Sequence, residues 1–150
     1  MDKNIAVIGG AGFCGSHLCI ALAEAGAQVT AIDSLSVNNL AQVAEDTANP
    51  RWSLYLRMIL ERLTKMHEAG VKLVVKDARD YHALSLVLGP HRPDVIVHLA
   101  AVSHAGRSNK TPYDTFDHSL VTLENALDYA RGAEVPHFIF KSSSMIYGHF

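Results

Sequence analysis

Glycines at positions 9, 10, 12 and 15 follow the apolar run 5–8, and a carboxylate, Asp33, stands about twenty residues further on. A turn without side chains that opens a helix exposes backbone N–H groups, and the helix dipole adds to their pull on an anion. These residues therefore suit the pyrophosphate of a dinucleotide, with Asp33 accepting hydrogen bonds from ribose hydroxyls. Two spacings fit the cluster: Gly10-x-Gly12-x-x-Gly15 and Gly9-x-x-Gly12-x-x-Gly15. Asp33 repels a 2′-phosphate, and residues 34–39 contain no Arg or Lys. NAD is expected over NADP.

Other reactive side chains give weaker signals. The nine histidines form no H-x-x-x-H pair and no Cys/His pattern, so no metal site is expected. Cys14 and Cys19 would point to different faces of one helix, which disfavours a disulfide between them. Cys14 falls in the first helical turn, where a thiolate is favoured, although a small filler residue beside the sheet suits it as well. Ser103 and Arg107 sit in a polar stretch after an apolar run ending at Leu99, where they meet either substrate or solvent.

The elements that would position these groups alternate. Apolar β-rich runs at 3–8, 28–32, 71–75, 94–99 and 137–140 read as strands. Helical patterns occupy 13–25, with Leu18, Ala21, Leu22 and Ala25 on one face, and 80–88, stopped by Gly89-Pro90. A third runs from Thr111-Pro112, an N-cap and first-turn proline, to about Gly132. In it Tyr113, Phe116, Leu120, Leu123 and Leu127 recur three or four apart. Continuous apolar strands separated by helices predict an α/β doubly wound parallel sheet, the Rossmann fold, with strand order 3-2-1-4-5. The connection from strand 2 to strand 3 is long, and about 38–70 reads as a helical insertion. Asn49-Pro50 would begin its helix, Gly70 would end it, and Trp52, Leu56, Ile59, Leu63 and Met66 form one stripe. That stripe suits packing on the sheet, a dimer surface, or a cover over the adenosine end of the cofactor.

With 150 residues, 49% hydrophobic and 19% charged, the chain is long enough for one domain with a core. The net charge of -2 supplies no basic field, so nucleic acid is not an expected partner. No apolar run approaches the length of a membrane span, and the N-terminus lacks the pattern of a secretory signal. A cytoplasmic protein with no membrane partner is expected.

Several motifs are more specific. Gly9-x-x-Gly12-Phe13-x-Gly15, Asp33-Ser34-Leu35-Ser36, Asp77-Ala78-Arg79-Asp80, His98-Leu99-Ala100-Ala101 and the run from Phe138 through Ser142-Ser143-Ser144 to Tyr147-Gly148 occur in order. Together they resemble the extended short-chain dehydrogenase/reductase family, the NAD-dependent epimerases and dehydratases, and within it UDP-galactose 4-epimerase-like proteins. The resemblance implies that Gly9, Gly12, Phe13 and Gly15 face the pyrophosphate and that Asp33, followed by Ser34, binds ribose. It implies that Asp77 and Ala78 hold the adenine, and that Leu99, Ala100 and Ala101 run along the nicotinamide half. Ser143 falls on the catalytic serine that hydrogen-bonds the reacting sugar hydroxyl, with Ser144 its less favoured neighbour. Ser103 and Arg107 become candidate substrate contacts, and a homodimer is a candidate assembly.

Two departures stand out. Where the family carries Asn in a helix motif near the nicotinamide, this sequence has His118. No Tyr here is followed by Lys four residues on, although the family's chemistry needs that pair. The resemblance therefore implies that 1–150 is the NAD-binding part of a nucleotide-sugar enzyme, with the C-terminal substrate region outside this sequence. It implies hydride transfer at a sugar hydroxyl, the chemistry of an isomerase or oxidoreductase, with this chain alone inactive. A non-catalytic dinucleotide-binding regulator and a UDP-sulfoquinovose synthase-like enzyme are the alternatives.

Overall fold

The computed structural model describes residues 3–36, 50–102 and 110–148. Five parallel strands, β1 (Asn4–Ile8), β2 (Gln28–Asp33), β3 (Lys72–Val75), β4 (Val95–His98) and β5 (His137–Phe140), form one sheet in the order β3-β2-β1-β4-β5. This is the predicted order. The register sets Ile8 level with Ile32 on one side and with His98 on the other. The residues just past these strands therefore emerge together at one end of the sheet.

Strand alternation sends side chains to opposite faces, and each face meets its own helices. Val7, Ala31 and Val97 pack with Cys19 of helix α1 (Phe13–Glu24) and Met66 of helix α2 (Pro50–Glu68). Ala6, Ile8, Ile32 and Ile96 pack with Leu84 and Leu88 of α3 (Tyr81–His91) and with Ala126 and Ala130 of α5 (Thr122–Gly132). Helices on both faces explain why the strands carry so few polar residues.

The helices correct the sequence reading in three places. Helix α1 buries Gly15, Ser16 and Cys19, while Ala21 and Ala25 are exposed. Leu18 and Leu22 of the expected face do pack against the core, half-buried, while small residues take the most buried positions because α1 starts close to the glycine turn. Helix α3 passes through Gly89-Pro90 and ends at Arg92, whose backbone is left-handed (φ 45) and whose N–H reaches the Leu88 carbonyl. A proline in the last turn removes only its own helical N–H, so one more residue can follow. Third, the stretch after Pro112 is not uniform: α4 (Pro112–Thr115) and α5 flank a π-helical segment (Phe116–Val121). Its expected apolar stripe faces outward, with Tyr113 74%, Phe116 61%, Leu120 50% and Leu127 46% exposed. Thr122, Ala126 and Ala130 are buried instead.

Of the insertion, the described part is α2. Ile59 and Met66 are buried, and Trp52, Leu56 and Leu63 are half-buried. The helix packs on the molecule, with Met66 and Leu63 joined to the core beside α1. Asn49, its expected cap, lies outside the described residues.

Candidate functional site

The residues beyond the strand ends build one cleft of about 400 Å³. Gly9 follows β1, Ser34 follows β2, Lys76 and Asp77 follow β3, Leu99 and Ala100 follow β4, and Lys141 follows β5; all line it, as does Asp33 at the end of β2. Ligands of open α/β sheets bind at this carboxyl edge, where the strand order reverses between β1 and β4.

At the floor lies the glycine turn. Gly9 has φ +82, and a Cβ there would stand 2.7 Å from the Ala100 backbone nitrogen. A Cβ on Gly15 would lie 2.3 Å from the Gly9 carbonyl oxygen, so only glycine lets α1 start this close to the turn. Gly10 is equally constrained, because its Cβ would stand 2.7 Å from that of Ala31. It serves the packing of β2 rather than filling space between two functional glycines. Gly12 differs. Its backbone (φ -65, ψ 173) suits any residue, and an added Cβ would meet only the Gly9 oxygen at 3.4 Å, an ordinary contact. The fold does not need glycine there; an open cleft wall at the first turn of α1 does. This cradle fits a pyrophosphate held by the helix N-terminus.

Asp33 braces the same turn. Its Oδ2 accepts from the Ala11 N–H at 3.0 Å and its Oδ1 from the Leu35 N–H at 2.8 Å. Each carboxylate oxygen keeps a further lone pair for a ribose hydroxyl. Ser34 lines the cleft beside it, and its hydroxyl pairs with that of Ser36 at 2.9 Å.

Asp77 is more engaged than the sequence suggests. The Arg79 guanidinium grips both its oxygens, Nε to Oδ1 at 3.1 Å and Nη2 to Oδ2 at 2.6 Å, and this holds the Asp77 carboxyl below the usual carboxylate range. Arg79 also pairs with Asp117 of the π-helical segment. Asn125 Nδ2 donates to the Ala78 and Arg79 carbonyls at 2.9 and 2.8 Å. The loop after β3 is thus strapped to the α4–α5 rod. Asp80 caps α3 by accepting from the Ala83 N–H at 2.9 Å, which explains the second acidic residue of D-x-x-D.

At the other end Leu99, Ala100 and Ala101 line the cleft with His118 and Thr122. The Thr122 hydroxyl donates to the His118 carbonyl at 2.9 Å, so its oxygen accepts from Nε2–H of the buried His98 at 3.2 Å. Burial pushes the His98 pKa down to about 4, and the ring is neutral. Its Nδ1 has no partner among the described residues. The Val102 N–H donates to Ser119 Oγ at 3.1 Å, tying the segment after β4 to the π-helical turn that carries His118.

All twelve cofactor-binding candidates line this cleft: Gly9, Gly12, Phe13 and Gly15 at the turn, Asp33 and Ser34 after it, then Asp77 and Ala78, Leu99 to Ala101, and His118. Ser143 does not; it follows Lys141 in chain order, is exposed, and its carbonyl accepts from the Ile146 N–H at 3.3 Å. Ser144 begins the short 3₁₀ turn Ser144–Tyr147. Ser103 and Arg107 lie outside the described residues. Cys14 is exposed on the cleft wall, while Cys19 is buried, its thiol pushed up to about 12 by burial.

Sequence reasoning missed Tyr55, Arg62, Lys76 and Lys141 on the wall. Lys76 and Lys141 stand beside recognised motifs and strand ends, so the rule that ligands meet strand carboxyl ends could have found them. Tyr55 and Arg62 belong to the insertion, and no local pattern marks them. They change one premise: 34–39 holds no cation, yet Arg62 and Lys76 stand in the same cleft as Asp33.

A doubly wound sheet with a glycine turn, a carboxylate at the end of β2 and one cleft along the strand ends defines a dinucleotide-binding domain of the Rossmann class. The profile of the NAD dependent epimerase/dehydratase family matches residues 5–150, and the chain belongs to that family. A UDP-glucose 4-epimerase of Rhizobium meliloti is 32% identical over 98% of this chain, which covers 37% of that protein. Among solved structures, a UDP-glucose-4-epimerase from Stenotrophomonas maltophila with bound NAD and formylated UDP-arabinopyranose superposes with a TM-score of 0.76 at 28% identity, over 99% of this chain and 39% of that one. One from Bifidobacterium longum in complex with NAD+ and UDP gives 0.71 at 26% identity, over 96% and 38%. The chain thus spans a little over a third of the length of such relatives, and it corresponds to their N-terminal part.

Proposed function

We propose that residues 1–150, with the insertion at about 38–70, form the NAD-binding domain of a nucleotide-sugar epimerase or a closely related enzyme acting at a sugar hydroxyl. The observation that carries this reading is Gly12, a glycine the packing does not require, placed where a pyrophosphate would meet α1. Bound NAD supplies the hydride acceptor and donor. The turn 9–15 holds the pyrophosphate, Asp33 and Ser34 hold the adenosine ribose, and Asp77 and Ala78 meet the adenine. Leu99 to Ala101 and His118 border the nicotinamide half. Ser143 hydrogen-bonds the reacting hydroxyl, with Ser103, Arg107 and Ser144 as neighbouring substrate contacts. NAD with formylated UDP-arabinopyranose in the Stenotrophomonas relative, and NAD+ with UDP in the Bifidobacterium one, support this assignment.

The same reading makes the protein a cytoplasmic homodimer with no nucleic-acid or membrane partner. The outward stripe on the α4–α5 rod supports self-association, and no described helix is long and apolar enough to cross a membrane.

Calorimetric titration of the complete protein with NAD and NADP tests the assignment. NAD is expected to bind the more tightly, and Asp33→Ala to weaken it by about tenfold or more. Preference for NADP, or unchanged NAD affinity in Asp33→Ala, would refute the role of Asp33. Ser143→Ala is expected to lower kcat of sugar epimerisation by about a hundredfold with NAD affinity intact.

A further inference from the structure

The insertion brings a cation to the glycine turn. Arg62 Nη1 donates to the Ala11 carbonyl at 3.3 Å, and its guanidinium carbon stands 5.9 Å from the centre of the Phe13 ring. The Ala11 N–H is already given to Asp33. Ala11 is therefore held on one side by the end of β2 and on the other by α2. Buried Ile59 and Met66 on the same face fix α2 in place, so the seat of Arg62 is set by packing. Tyr55, two turns earlier on that face, shares the cleft wall with Arg62.

This guanidinium is under-used. Among the described residues it makes one hydrogen bond and no ion pair. Its planar fork carries five N–H donors whose geometry matches phosphate oxygens. It is seated beside Ala11 and Phe13, at the start of α1, where a helix already attracts anions. It is half-buried, so solvent screens it less than a surface cation.

We propose that Arg62 is a further cofactor-binding residue, gripping the adenosine-side phosphate of the pyrophosphate so that the insertion completes the anion site that the glycine turn begins. The proposal rests on the NAD reading of the cleft. Its contact with Ala11, rather than with the residues after β2, assigns it to the pyrophosphate and not to a ribose phosphate.

Two variants test it in the complete protein. Arg62→Met keeps the apolar stem over Phe13, and Arg62→Lys keeps the charge without the fork. Titration with NAD and with ADP-ribose is expected to show both weakened by the same factor in Arg62→Met, about tenfold, with partial recovery in Arg62→Lys. The loss of NAD affinity with added salt is expected to be shallower in Arg62→Met than in the unsubstituted protein. Unchanged affinities overturn the proposal. So does weakened binding with an unchanged salt dependence, which would leave Arg62 as a brace of the turn. An NADP affinity that falls far more than that for NAD would assign the guanidinium to a 2′-phosphate instead. If the unsubstituted protein binds no NAD, the cofactor reading fails and takes the proposal with it. If Asp33→Ala loses NAD while Arg62→Met does not, only the proposal fails.

Discussion

At Gly12 an added methyl group would touch one atom, the Gly9 oxygen at 3.4 Å, whereas at Gly15 it would lie 2.3 Å from that same oxygen. The two substitutions should therefore separate binding from folding. Gly12→Ala is expected to change stability by no more than about 1 kcal/mol, because restriction of the unfolded chain is opposed by a poorer N-cap for α1. NAD affinity should fall at least about tenfold as the methyl enters the cleft. Gly15→Ala is expected to destabilise by about 2 kcal/mol or more. Urea denaturation and calorimetry on both variants check this. A single glycine motif in the sequence hides the distinction, since packing and ligand approach ask for the same residue. His98 makes a second case. Its folded pKa of about 4 lies below the ordinary value, so the unfolded chain binds the extra proton first. The stability tied to the neutral ring is complete above about pH 6.5 and is lost as pH falls towards 4. His98→Gln is expected to flatten the decline of the unfolding midpoint between those limits, measured by thermal melts across the range. The sequence marked His98 as part of a motif at a strand end but could not show that its ring is spent on Thr122, 24 residues away.

Among the elements, the loop after β3 and the α4–α5 rod are held together by side chains distant in sequence. Asn125 offers one amide to two carbonyls, Ala78 and Arg79, and Arg79 spans Asp77 and Asp117. Asn125→Ala leaves both carbonyls without that donor and is expected to lower stability by about 1–3 kcal/mol, read from urea midpoints at constant slope. Strands were legible because each is a short apolar run bounded by turn residues, and their parallel order follows from chain chirality once helices intervene. Helix faces were less so. In α1 Leu18 and Leu22 pack on the core as the period suggests, but the most buried positions, Gly15, Ser16 and Cys19, are small because the helix starts against the glycine turn. In α3 a Gly-Pro pair near the end signals a stop in the sequence, yet a last turn tolerates it. The insertion was legible as a helix through its period of three and four, but not as a wall of the cleft. What joins α2 to Ala11 is a tertiary hydrogen bond about fifty residues long in sequence, and periodicity carries no trace of it.

At the scale of the molecule, the outward stripe of Tyr113, Phe116, Leu120 and Leu127 is an exposed apolar feature of the described residues that a partner could cover. If two copies meet there, Leu120→Glu places a charge in the contact. Light scattering on the complete protein is expected to give the mass of two chains without the substitution and of one chain with it, with NAD affinity retained. Equal masses would point to another surface. The stripe was visible in the sequence as a helical period, yet period alone does not say which face is inward; the small residues Thr122, Ala126 and Ala130 decide it by fitting closer to the sheet. The π-helical segment between α4 and α5 joins these two scales. Each residue turns an α-helix by about 100°, and a π turn holds one residue more than an α turn. Removing one residue between 116 and 121 would therefore act as a rotation more than a shortening. It would swing Tyr113 and the residues before the cut out of phase with Leu127, and carry Asp117 and His118 away from Arg79 and the cleft. In descent, a change of letter here alters one contact, whereas a change of count alters them all.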